Sequence, residues 1–481
     1  MSAGPVMKFG GTSVADAAAI GRVAAIVSKA LAAAPGQPPL VVVSALGGVT
    51  DRLVEIARLA EDGEGARAAE AVGALVARHL DVAAGVASGA RQAHLVAAIR
   101  REFEELAGLV HALAVLREVS PRSRDALLSA GEIVSSRIVA EAFEERGIAA
   151  SWIDARDVLR TDAAHTAAVP DLEATTARCQ EALAPLTAAG RVGVVGGYVG
   201  ATPAGVTTTL GRGGSDYSAA IFGACLDASE IQIWTDVDGM LTADPRIVPE
   251  PRVVPRLSFA EASELAYFGA KVLHPSTILP AVGRNIPVRI LNSRRPDNPG
   301  TLITAEADHP AGSLTAIACK RDVSVVDITS TRMLMAHGFL RRLFEVFERF
   351  RTAVDVVTTS EVSVSVTVDD ARRLDMVVEN LRHFAEVAVE PQMAIICAVG
   401  ENLRGDPSLF GRAVAALEGI PLRLVSQAAS RRNITFVLRD ADVSQAMTNL
   451  HERLFFSADP RRAPLLAGQE ARVRLQPGLA S

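Results

Sequence analysis

Residues 5–27, PVMKFGGTSVADAAAIGRVAAIV, set the fold. They begin as a short strand, which the pair Gly10-Gly11 interrupts, and continue as a helix with an N-cap signal and apolar residues at helical spacing. A second strand, Leu-Val-Val-Val, follows at residues 40–43. The order strand, glycine turn, helix, strand predicts a layered α/β sheet.

Four more strand-like segments continue this pattern. They lie at residues 149–153, 192–195, 231–234 and 288–291. Helical patterns separate most of them, and residues 56–116, which are rich in Ala, Arg and Glu, predict long helices. We therefore expect one doubly wound, mostly parallel sheet over residues 1–304.

The chain repeats itself beyond a linker at residues 305–312. Strand and helix patterns occur there twice in the order βαββα, which is the arrangement of ferredoxin-like units. The predicted bounds are residues 313–389 for the first unit and 390–458 for the second. Residues 459–481, which are rich in Pro, Arg and Gly, are expected to be a disordered tail.

The composition narrows the class of protein. The chain has 481 residues, a net charge of −6 and 49% hydrophobic residues, which is enough for a full core. Because it has no basic run and no apolar stretch of about 18 residues, we expect neither nucleic-acid nor membrane partners. The N-terminus resembles no secretory signal and the 4 Cys are scattered without a CxxC pair, which favours a cytoplasmic protein.

Lysine is rare in this chain. It occurs only as Lys8, Lys29, Lys271 and Lys320, and all other basic side chains apart from histidine are arginines. A lysine is the distinct choice where a compact point charge is required. The few lysines are therefore candidates for sites that bind anions.

The first candidate site is Lys-Phe-Gly-Gly-Thr-Ser at residues 8–13. Gly10 and Gly11 allow backbone N–H groups to approach an anion, the next helix supplies partial positive charge, and Lys8 adds a full charge. This predicts a phosphate cradle other than a P-loop, since GxxxxGK[ST] does not occur in the sequence. Taken alone, such a glycine pair is more often only a tight turn.

The second candidate site is TTTLGRGGSD at residues 207–216. Arg212 suits bidentate binding of a carboxylate, and the adjacent glycines expose N–H groups at the start of the next helix. Asp216 has the charge to orient a lysine. A plain loop could contain Gly-Gly-Ser-Asp, but an Arg between glycines directly before a helix favours a binding site.

Two further segments and three single residues are weaker candidates. Residues 234–239, WTDVDG, follow a strand at the end where α/β sheets bind ligands, and residues 268–275, FGAKVLHP, contain Lys271. Both also fit structural roles, as a capped turn and a helix end. Ser44, Thr50 and Glu132 lie beside apolar elements, and Glu132 alone fits an acidic first turn of a helix.

Four motifs in this order give the chain a resemblance to a known family: KFGGTSV, TTTLGRGGSD, IWTDVDG with a following DPR, and FGAKVLHP. In these motifs the chain resembles the aspartate kinases of the amino-acid kinase superfamily. The resemblance extends from about residue 6 to about residue 456, and the repeat resembles tandem ACT domains. It implies an amino-acid kinase fold followed by two ferredoxin-like βαββαβ ACT domains. It also implies transfer of the γ-phosphoryl of ATP to the β-carboxylate of L-aspartate, the first step of aspartate-family amino-acid biosynthesis.

The resemblance also implies roles for single residues. Catalytic roles fall to Lys8, Asp216 and Lys271. ATP, which is expected with Mg²⁺, would be bound by Lys8, Gly10, Gly11, Thr235, Asp236, Arg246, Lys271 and Val272. L-Aspartate would be bound by Ser44, Thr50, Glu132, Arg212, Ser215 and Asp216. Two positions depart from the family pattern, because Leu241 replaces a Tyr of the nucleotide pocket and Tyr198 stands where Phe is frequent.

The repeat resembles that of the lysine-sensitive, single-function class. The matching effector pocket consists of Met333, Gly338, Phe339, Leu340, Val354, Asp355, Thr359, Ser360 and Glu361. Asp355 and Glu361 have the charge to pair with the ammonium groups of an amino acid. Lysine is the expected effector. Because Met335 and His337 depart from the class pattern, threonine is kept as the alternative. A homodimer through the ACT-like units is expected as well.

Two other functions stay open at this point. One is a different amino-acid kinase, acting on glutamate or acetylglutamate, which TTTLGRGGSD together with ACT repeats disfavours. The other is a catalytically weak amino-acid sensor, which the intact Lys8, Arg212, Asp216 and Lys271 disfavour. A dinucleotide oxidoreductase is a distant third, because no GxGxxG follows the first strand.

Overall fold

The computed structural model describes residues 4–269, 275–307, 309–310, 312–333, 337–427 and 430–456. Their contacts divide the chain into two compact units. The first unit comprises the described residues up to 240 with 255–259 and 275–307, and the second comprises 241–254, 260–269 and the described residues from 309 onward. Two segments inside the predicted first domain thus belong to the second unit.

Strands and helices alternate up to residue 304. They are β1 (Val6–Phe9), α1 (Ala17–Ala33), β2 (Leu40–Val43), α2 (Val49–Glu61), α3 (Gly65–Val86), α4 (Gly89–Leu116), α5 (Pro121–Glu145), β3 (Ala150–Ile153), α6 (Ala155–Val158), α7 (Leu172–Ala188), β4 (Val192–Gly196), β5 (Val199–Ala201), β6 (Thr207–Thr209), α8 (Gly214–Leu226), β7 (Ile231–Thr235), β8 (Arg256–Ser258), α9 (Phe259–Tyr267), α10 (Leu279–Arg284), β9 (Val288–Asn292) and β10 (Thr301–Thr304).

Eight of these strands form one sheet in the order β3-β4-β2-β1-β7-β9-β10-β8. Neighbouring strands are parallel except for β9 and β10. β1 and β2 are buried along their whole length, which explains their apolar sequences, since a parallel sheet is covered on both faces. The predicted doubly wound, mostly parallel sheet is confirmed.

The helices between β2 and β3 build much of the core of the first unit. α2, α4 and α5 contribute Ile56, Leu95 and Phe143, each at most 1% exposed, to the same cluster as Phe9 of β1. α5 begins where Ser120 accepts a hydrogen bond from Ser123 N, with proline in the first turn. The composition of residues 56–116 therefore gave the correct element type.

The second unit contains a second, antiparallel sheet. Its elements are β11 (Ser313–Thr329), α11 (Phe339–Arg349), β12 (Val357–Thr359), β13 (Ser363–Val368), α12 (Leu374–Leu381), β14 (Glu386–Glu401), α13 (Pro407–Ala416), β15 (Leu422–Gln427), β16 (Asn433–Arg439) and α14 (Val443–His451). The order βαββα occurs twice, as the repeat predicts. The six strands are arranged β12-β13-β11-β14-β16-β15.

The long strands β11 and β14 each serve both halves of this sheet. Residues 313–320 of β11 pair with 395–401 of β14, whose residues 393–399 pair with β16. Residues 324–329 of β11 pair with β13 on one side, and residues 325–329 pair with 386–390 of β14 on the other. The register shifts between these halves, and both strands have a residue with positive φ near the shift, Asp322 and Gln392, each at φ 58°.

This pairing differs from the predicted domain bounds. Ile317 packs in the core of the second repeat with Ile396 and Phe436, although residues 313–389 were predicted to form the first ACT-like domain. Ile317 N also donates to Thr242 O at 2.8 Å, which places the segment 241–254 in the same unit. The outer limits of the two ACT-like domains stay a prediction.

Candidate active site

A cavity of about 490 Å³ lies in the first unit, where β2 and β4 end and α8 begins. The residues that line it are Lys8, Ser44, Thr50, Glu132, Thr166, Tyr198, Gly211, Arg212, Gly213, Gly214, Ser215 and Asp216. All the residues that were expected to bind L-aspartate are among them, and Lys8 is the residue expected to contact the phosphate. The structure thus brings together residues from four separate parts of the sequence.

The turn that carries Arg212 depends on its glycines. Gly211 and Gly213 have φ of 78° and 71°, in the left-handed region that most other residues avoid. Gly213 is the N-cap of α8 and has no side chain with which to cap it. The first-turn N–H groups of α8 therefore form a partly positive surface next to Arg212.

Lys8 and Asp216 form an ion pair inside the cavity. Lys8 Nζ lies 2.6 Å from Asp216 Oδ1, and the two side chains are 11% and 16% exposed. β1 supplies the lysine and the first turn of α8 supplies the aspartate. Gly10 also lies near the ammonium, since a Cβ built on it would be 3.6 Å from Lys8 Nζ. The ammonium is thereby held at the cavity wall with its charge only partly screened by water.

Glu132 is a buried carboxyl group without a full set of partners. It is 3% exposed, and its Oε2 atom has no hydrogen-bond partner among the described residues. Burial raises the pKa of Glu132 to about 8, although N–H groups of Ala45 and of Glu132 itself and the charge of Lys8 act in the opposite direction. An orphaned carboxylate oxygen that faces a cavity fits a ligand that donates hydrogen bonds and carries positive charge.

Thr166 and Tyr198 line the cavity but were not predicted as site residues. Thr166 belongs to a loop between α6 and α7 that contains no recognisable motif. Tyr198 was noted only as a departure from the family pattern. Both have positive φ, 71° and 65°, which a bulky residue adopts only when its surroundings enforce it. No sequence signal marks Thr166, whereas the adjacent glycines Gly196-Gly197 could have drawn attention to Tyr198.

The residues expected to bind the nucleotide divide into three groups. Gly10 and Gly11 follow β1. Thr235 ends the neighbouring parallel strand β7 and Asp236 follows it, so these four residues lie at the same edge of the sheet. In the second unit, Arg246 forms a bidentate ion pair with Asp244, with the shortest N–O distance at 2.6 Å. Lys271 and Val272 lie outside the described residues.

The residues expected to bind an effector lie in the first half of the antiparallel sheet. Met333, Phe339 and Val354 pack against one core cluster, and Gly338 is the N-cap of α11, whose first turn contains Leu340. Thr359 ends β12, and Ser360 and Glu361 form the turn that follows. Met335 lies outside the described residues.

The two carboxylates proposed for the effector differ in their surroundings. Asp355 is 2% exposed and its Oδ1 atom accepts hydrogen bonds from Tyr267 Oη at 2.7 Å and Lys320 Nζ at 2.8 Å. Its Oδ2 atom is buried without a partner among the described residues. Glu361 is exposed at the turn. Asp355 is therefore the carboxylate whose burial and charge suit a bound ammonium group.

Two further features concern the described residues as a whole. Nowhere in them do three or more His, Cys, Asp or Glu side chains cluster in a way that could hold a metal ion. Among their helices, none combines the length and the apolar character needed to span a bilayer.

The comparisons with known proteins agree with this arrangement. The model of the amino acid kinase family matches residues 5–292, and a model of the ACT domain matches residues 396–454. The first match covers the cavity and most of the parallel sheet. The second covers most of the second repeat.

Curated relatives and solved structures extend the similarity over almost the whole chain. Lysine-sensitive aspartokinase 3 of Escherichia coli is 36% identical, covering 94% of this chain and 99% of that protein. Aspartokinase 1, chloroplastic, of Arabidopsis thaliana is 37% identical, covering 94% and 80%. The crystal structure of E. coli aspartokinase III with aspartate and ADP has a TM-score of 0.81 at 35% identity, covering 94% and 100%. The chain belongs to the amino acid kinase family and, within it, to the aspartokinases.

Proposed function

We propose that the cavity around Lys8 and Arg212 binds L-aspartate and that the protein transfers the γ-phosphoryl of ATP to its β-carboxylate, giving 4-phospho-L-aspartate and ADP. The observation that carries this proposal is the convergence of Lys8, Arg212 and Glu132 on one cavity. E. coli aspartokinase III, a relative with the same overall fold, has been solved with aspartate and ADP.

The charges of the cavity match those of L-aspartate. Arg212 has the planar fork that binds a carboxylate in a bidentate manner, and it lies between glycines that leave it accessible. Glu132 offers the unpartnered Oε2 atom to the α-ammonium group of the amino acid. A bound ammonium group would lower the pKa of Glu132 and favour its ionised form. Ser44, Thr50 and Ser215 supply neutral polar groups along the same wall.

The proposed reaction requires no general base. The nucleophile is a carboxylate with a pKa of about 4, so it is ionised at neutral pH. The barrier arises because two anions must meet, and the protein must offset their repulsion. Lys8 provides a buried ammonium group for this purpose, and Asp216 orients it. From the sequence we propose Lys271 as a second ammonium group. Holding both reactants in one cavity lowers the entropic cost of their encounter.

We propose that ATP is used with Mg²⁺. The cavity contributes two carboxylates, Glu132 and Asp216, which are too few for a magnesium site built by the protein alone. Glu132 is assigned to the α-ammonium group and Asp216 pairs with Lys8, so the ion would be bound mainly through the phosphates of the nucleotide, which is usual for Mg²⁺. The ion would offset negative charge on those phosphates when bound.

We further propose that lysine inhibits the enzyme through the pocket around Asp355. The ammonium group of Lys320 lies 2.8 Å from Asp355, which demonstrates that a primary alkylammonium group fits this carboxylate. A solved E. coli aspartokinase III contains lysine and aspartate. Threonine, the alternative effector, lacks a side-chain ammonium group and would use Asp355 less completely.

A panel of acceptors tests the catalytic proposal. The full-length protein is incubated with ATP, Mg²⁺ and hydroxylamine, which traps acyl phosphates, and with L-aspartate, L-glutamate or N-acetyl-L-glutamate. We expect hydroxamate with L-aspartate only. Preference for either glutamate compound would support another amino-acid kinase, and ATP turnover with none of the three would support an amino-acid sensor.

A pair of variants tests the effector proposal. Lys320 contacts two carboxylates, Asp355 and the more exposed Asp369. Asp355→Asn should abolish inhibition by lysine while leaving kcat in place, and Asp369→Asn, the matched control, should remain sensitive. Equal loss of sensitivity in both variants, or inhibition of the wild type by threonine alone, would contradict the proposal.

A further inference from the structure

A second carboxylate on α5 lies beneath the cavity without lining it. Asp125 is completely buried, and its oxygens accept hydrogen bonds from Thr209 Oγ1 at 2.6 Å and from Thr166 N at 3.0 and 3.1 Å. His165 Nδ1 lies 2.7 Å from Asp125 Oδ2. This buried carboxylate therefore gathers two separate segments, the loop before α7 and the strand β6.

The loop needs this carboxylate in order to hold its shape. Thr166 has φ of 71°, a left-handed conformation that is unfavourable for a β-branched residue. The hydrogen bonds from its N–H group to both oxygens of Asp125 stabilise that conformation. Because a buried charge without partners is costly, Asp125 and the loop stabilise one another.

Two partners of Asp125, Thr166 and Thr209, lead to the wall of the cavity. Thr166 lines the cavity itself, and its carbonyl oxygen lies 3.0 Å from the position of a Cβ at Gly211, the residue before Arg212. Thr209 precedes the same turn, and the next residue, Leu210, donates its N–H to Tyr198 O at 3.0 Å; Tyr198 also lines the cavity. Asp125 thus contacts Thr166 of the cavity wall and, through Thr209, adjoins the turn that carries Arg212.

The position of Asp125 on its helix points in the same direction. It lies seven residues before Glu132, which corresponds to about two turns, so both carboxylates are on one face of α5. Glu132 reaches the cavity, whereas Asp125 stays one layer deeper. One rigid helix therefore carries both a residue that faces the ligand and a residue that holds the surrounding loops.

We infer that Asp125 is a positioning residue for L-aspartate: through Thr166 and Thr209 it holds the wall that contains Arg212 in the geometry that binds the substrate. The inference rests on the proposed function, because it presumes that L-aspartate occupies this cavity. Asp125 itself does not touch the substrate. Its loss should affect the binding of L-aspartate much more than the binding of ATP.

The primary measurement is the dissociation constant of the full-length protein for L-aspartate, determined by calorimetry, together with the KM values for L-aspartate and ATP. Asp125→Asn keeps the shape of the side chain and removes its charge. We expect affinity for L-aspartate to fall about 10- to 100-fold, while KM for ATP changes less than about twofold.

A matched pair on β6 separates positioning from a general loss of stability. Thr209→Val removes the hydroxyl group that reaches Asp125, and Thr208→Val removes a buried hydroxyl that is 2.7 Å from Thr161 Oγ1 instead. Both should lower the melting temperature, but only Thr209→Val should weaken binding of L-aspartate. Thr209→Ser, which keeps the hydroxyl group, should restore it. If Asp125→Asn does not fold, this pair of variants still tests the positioning role of Asp125.

A rescue variant tests the proposed route through Thr166. Glycine adopts positive φ without strain, so adding Thr166→Gly to Asp125→Asn should recover part of the lost affinity. If the wild type binds L-aspartate but Asp125→Asn and Thr209→Val bind it equally well, the positioning role is overturned and the proposed function stands. If the wild type binds no L-aspartate, the proposed function and the inference both fail.

Discussion

Lys8 and Glu132 face the same cavity, one as a basic and the other as an acidic side chain. The Lys8 side chain lies beside Asp216, at an N–O distance of 2.6 Å, where it can contact an anion in the cavity. Glu132 is deeper, and burial raises its pKa to about 8. The cavity therefore combines a fixed positive charge with a carboxyl group whose charge depends on a ligand. This combination suits a zwitterionic amino acid whose reacting carboxylate points toward phosphate.

The shifted pKa of Glu132 predicts how stability depends on pH. Its ordinary value is 4.5 and the folded value is about 8, so between these limits the folded state holds a proton that the unfolded state has lost. The contribution of Glu132 is complete below about pH 4.5, and it is lost as the pH rises toward 8. Relative to Glu132→Gln, the wild type should lose about 1.4 kcal/mol of unfolding free energy per pH unit in this window.

Denaturant unfolding of both full-length proteins between pH 5 and pH 8, without ligand, measures this difference. The result applies to the unit that contains α5, which the fluorescence of Trp152 on the neighbouring β3 reports. A difference between wild type and Glu132→Gln that stays constant with pH would mean that Glu132 is ionised in the free protein.

Among the elements, the turn between β6 and α8 is the one whose glycine positions bear most directly on the site. Gly211 has φ of 78° and approaches Thr166 O, whereas Gly147, with φ of 77°, has open space where a Cβ would be. Replacing either by alanine should cost about 1–2 kcal/mol of stability, because both positions are left-handed. Only Gly211→Ala should also raise KM for L-aspartate.

Thermal unfolding and steady-state kinetics of Gly211→Ala and Gly147→Ala check this prediction. Gly147 serves as the control for backbone strain, since it lies in the turn between α5 and β3 and does not line the cavity. Unchanged kinetics for both variants would show that the turn tolerates displacement of Arg212.

The sequence predicted the type of most elements but not their register. Apolar runs such as Val41–Val43 identify buried parallel strands because both faces of such a strand are covered. The assignment of residues 313–320 to the second repeat has no such signature, since it depends on pairing with residues that come about 80 positions later. Likewise, no motif marks Thr166, whose conformation is imposed by Asp125 from another element.

At the scale of the whole molecule, the second unit exposes apolar side chains on its helices. Phe344 of α11 is 36% exposed and Phe410 of α13 is 39% exposed. α11 and α13 belong to different repeats, so each repeat presents an apolar side chain that a second copy of the chain could cover. We therefore predict that the protein is a homodimer through its ACT-like units, and that Phe344→Glu combined with Phe410→Glu shifts it to monomers.

Sedimentation velocity at several protein concentrations measures this shift. Leu116→Glu is the control, because Leu116 ends α4 in the first unit and is 71% exposed, so the same charge is added to an apolar surface elsewhere. A wild-type monomer, or a dimer that the double variant leaves intact, would contradict the proposed interface. A cytoplasmic location stays a prediction.

More of the candidate site than of the domain bounds could be predicted from the sequence. Its residues are distant in sequence, yet Lys8, Ser44 and Arg212 each lie at a glycine turn or near a strand end, and an α/β sheet brings such ends to one edge. The glycine motifs drew attention to Lys8 and Arg212, whereas the role of Ser44 in the same site was implied by the family resemblance; the three residues line one cavity. The compact units differ from the predicted domain bounds at segments 241–254 and 260–269, which belong to the second unit. The hydrogen bonds that hold these segments, such as Asn433 Nδ2 to Glu264 at 2.7 Å, are not visible in the sequence.

The most direct test of the account compares two of the four lysines. Lys8 lies in the cavity, whereas Lys29 is 70% exposed and pairs with the exposed Asp297. The kcat for hydroxamate formation from L-aspartate is measured for Lys8→Ala and Lys29→Ala, with the melting temperature of each as the check on folding. Lys8→Ala should reduce kcat about 10²- to 10³-fold while Lys29→Ala retains it. A folded Lys8→Ala enzyme with the kcat of the wild type would contradict the electrostatic role on which the account depends.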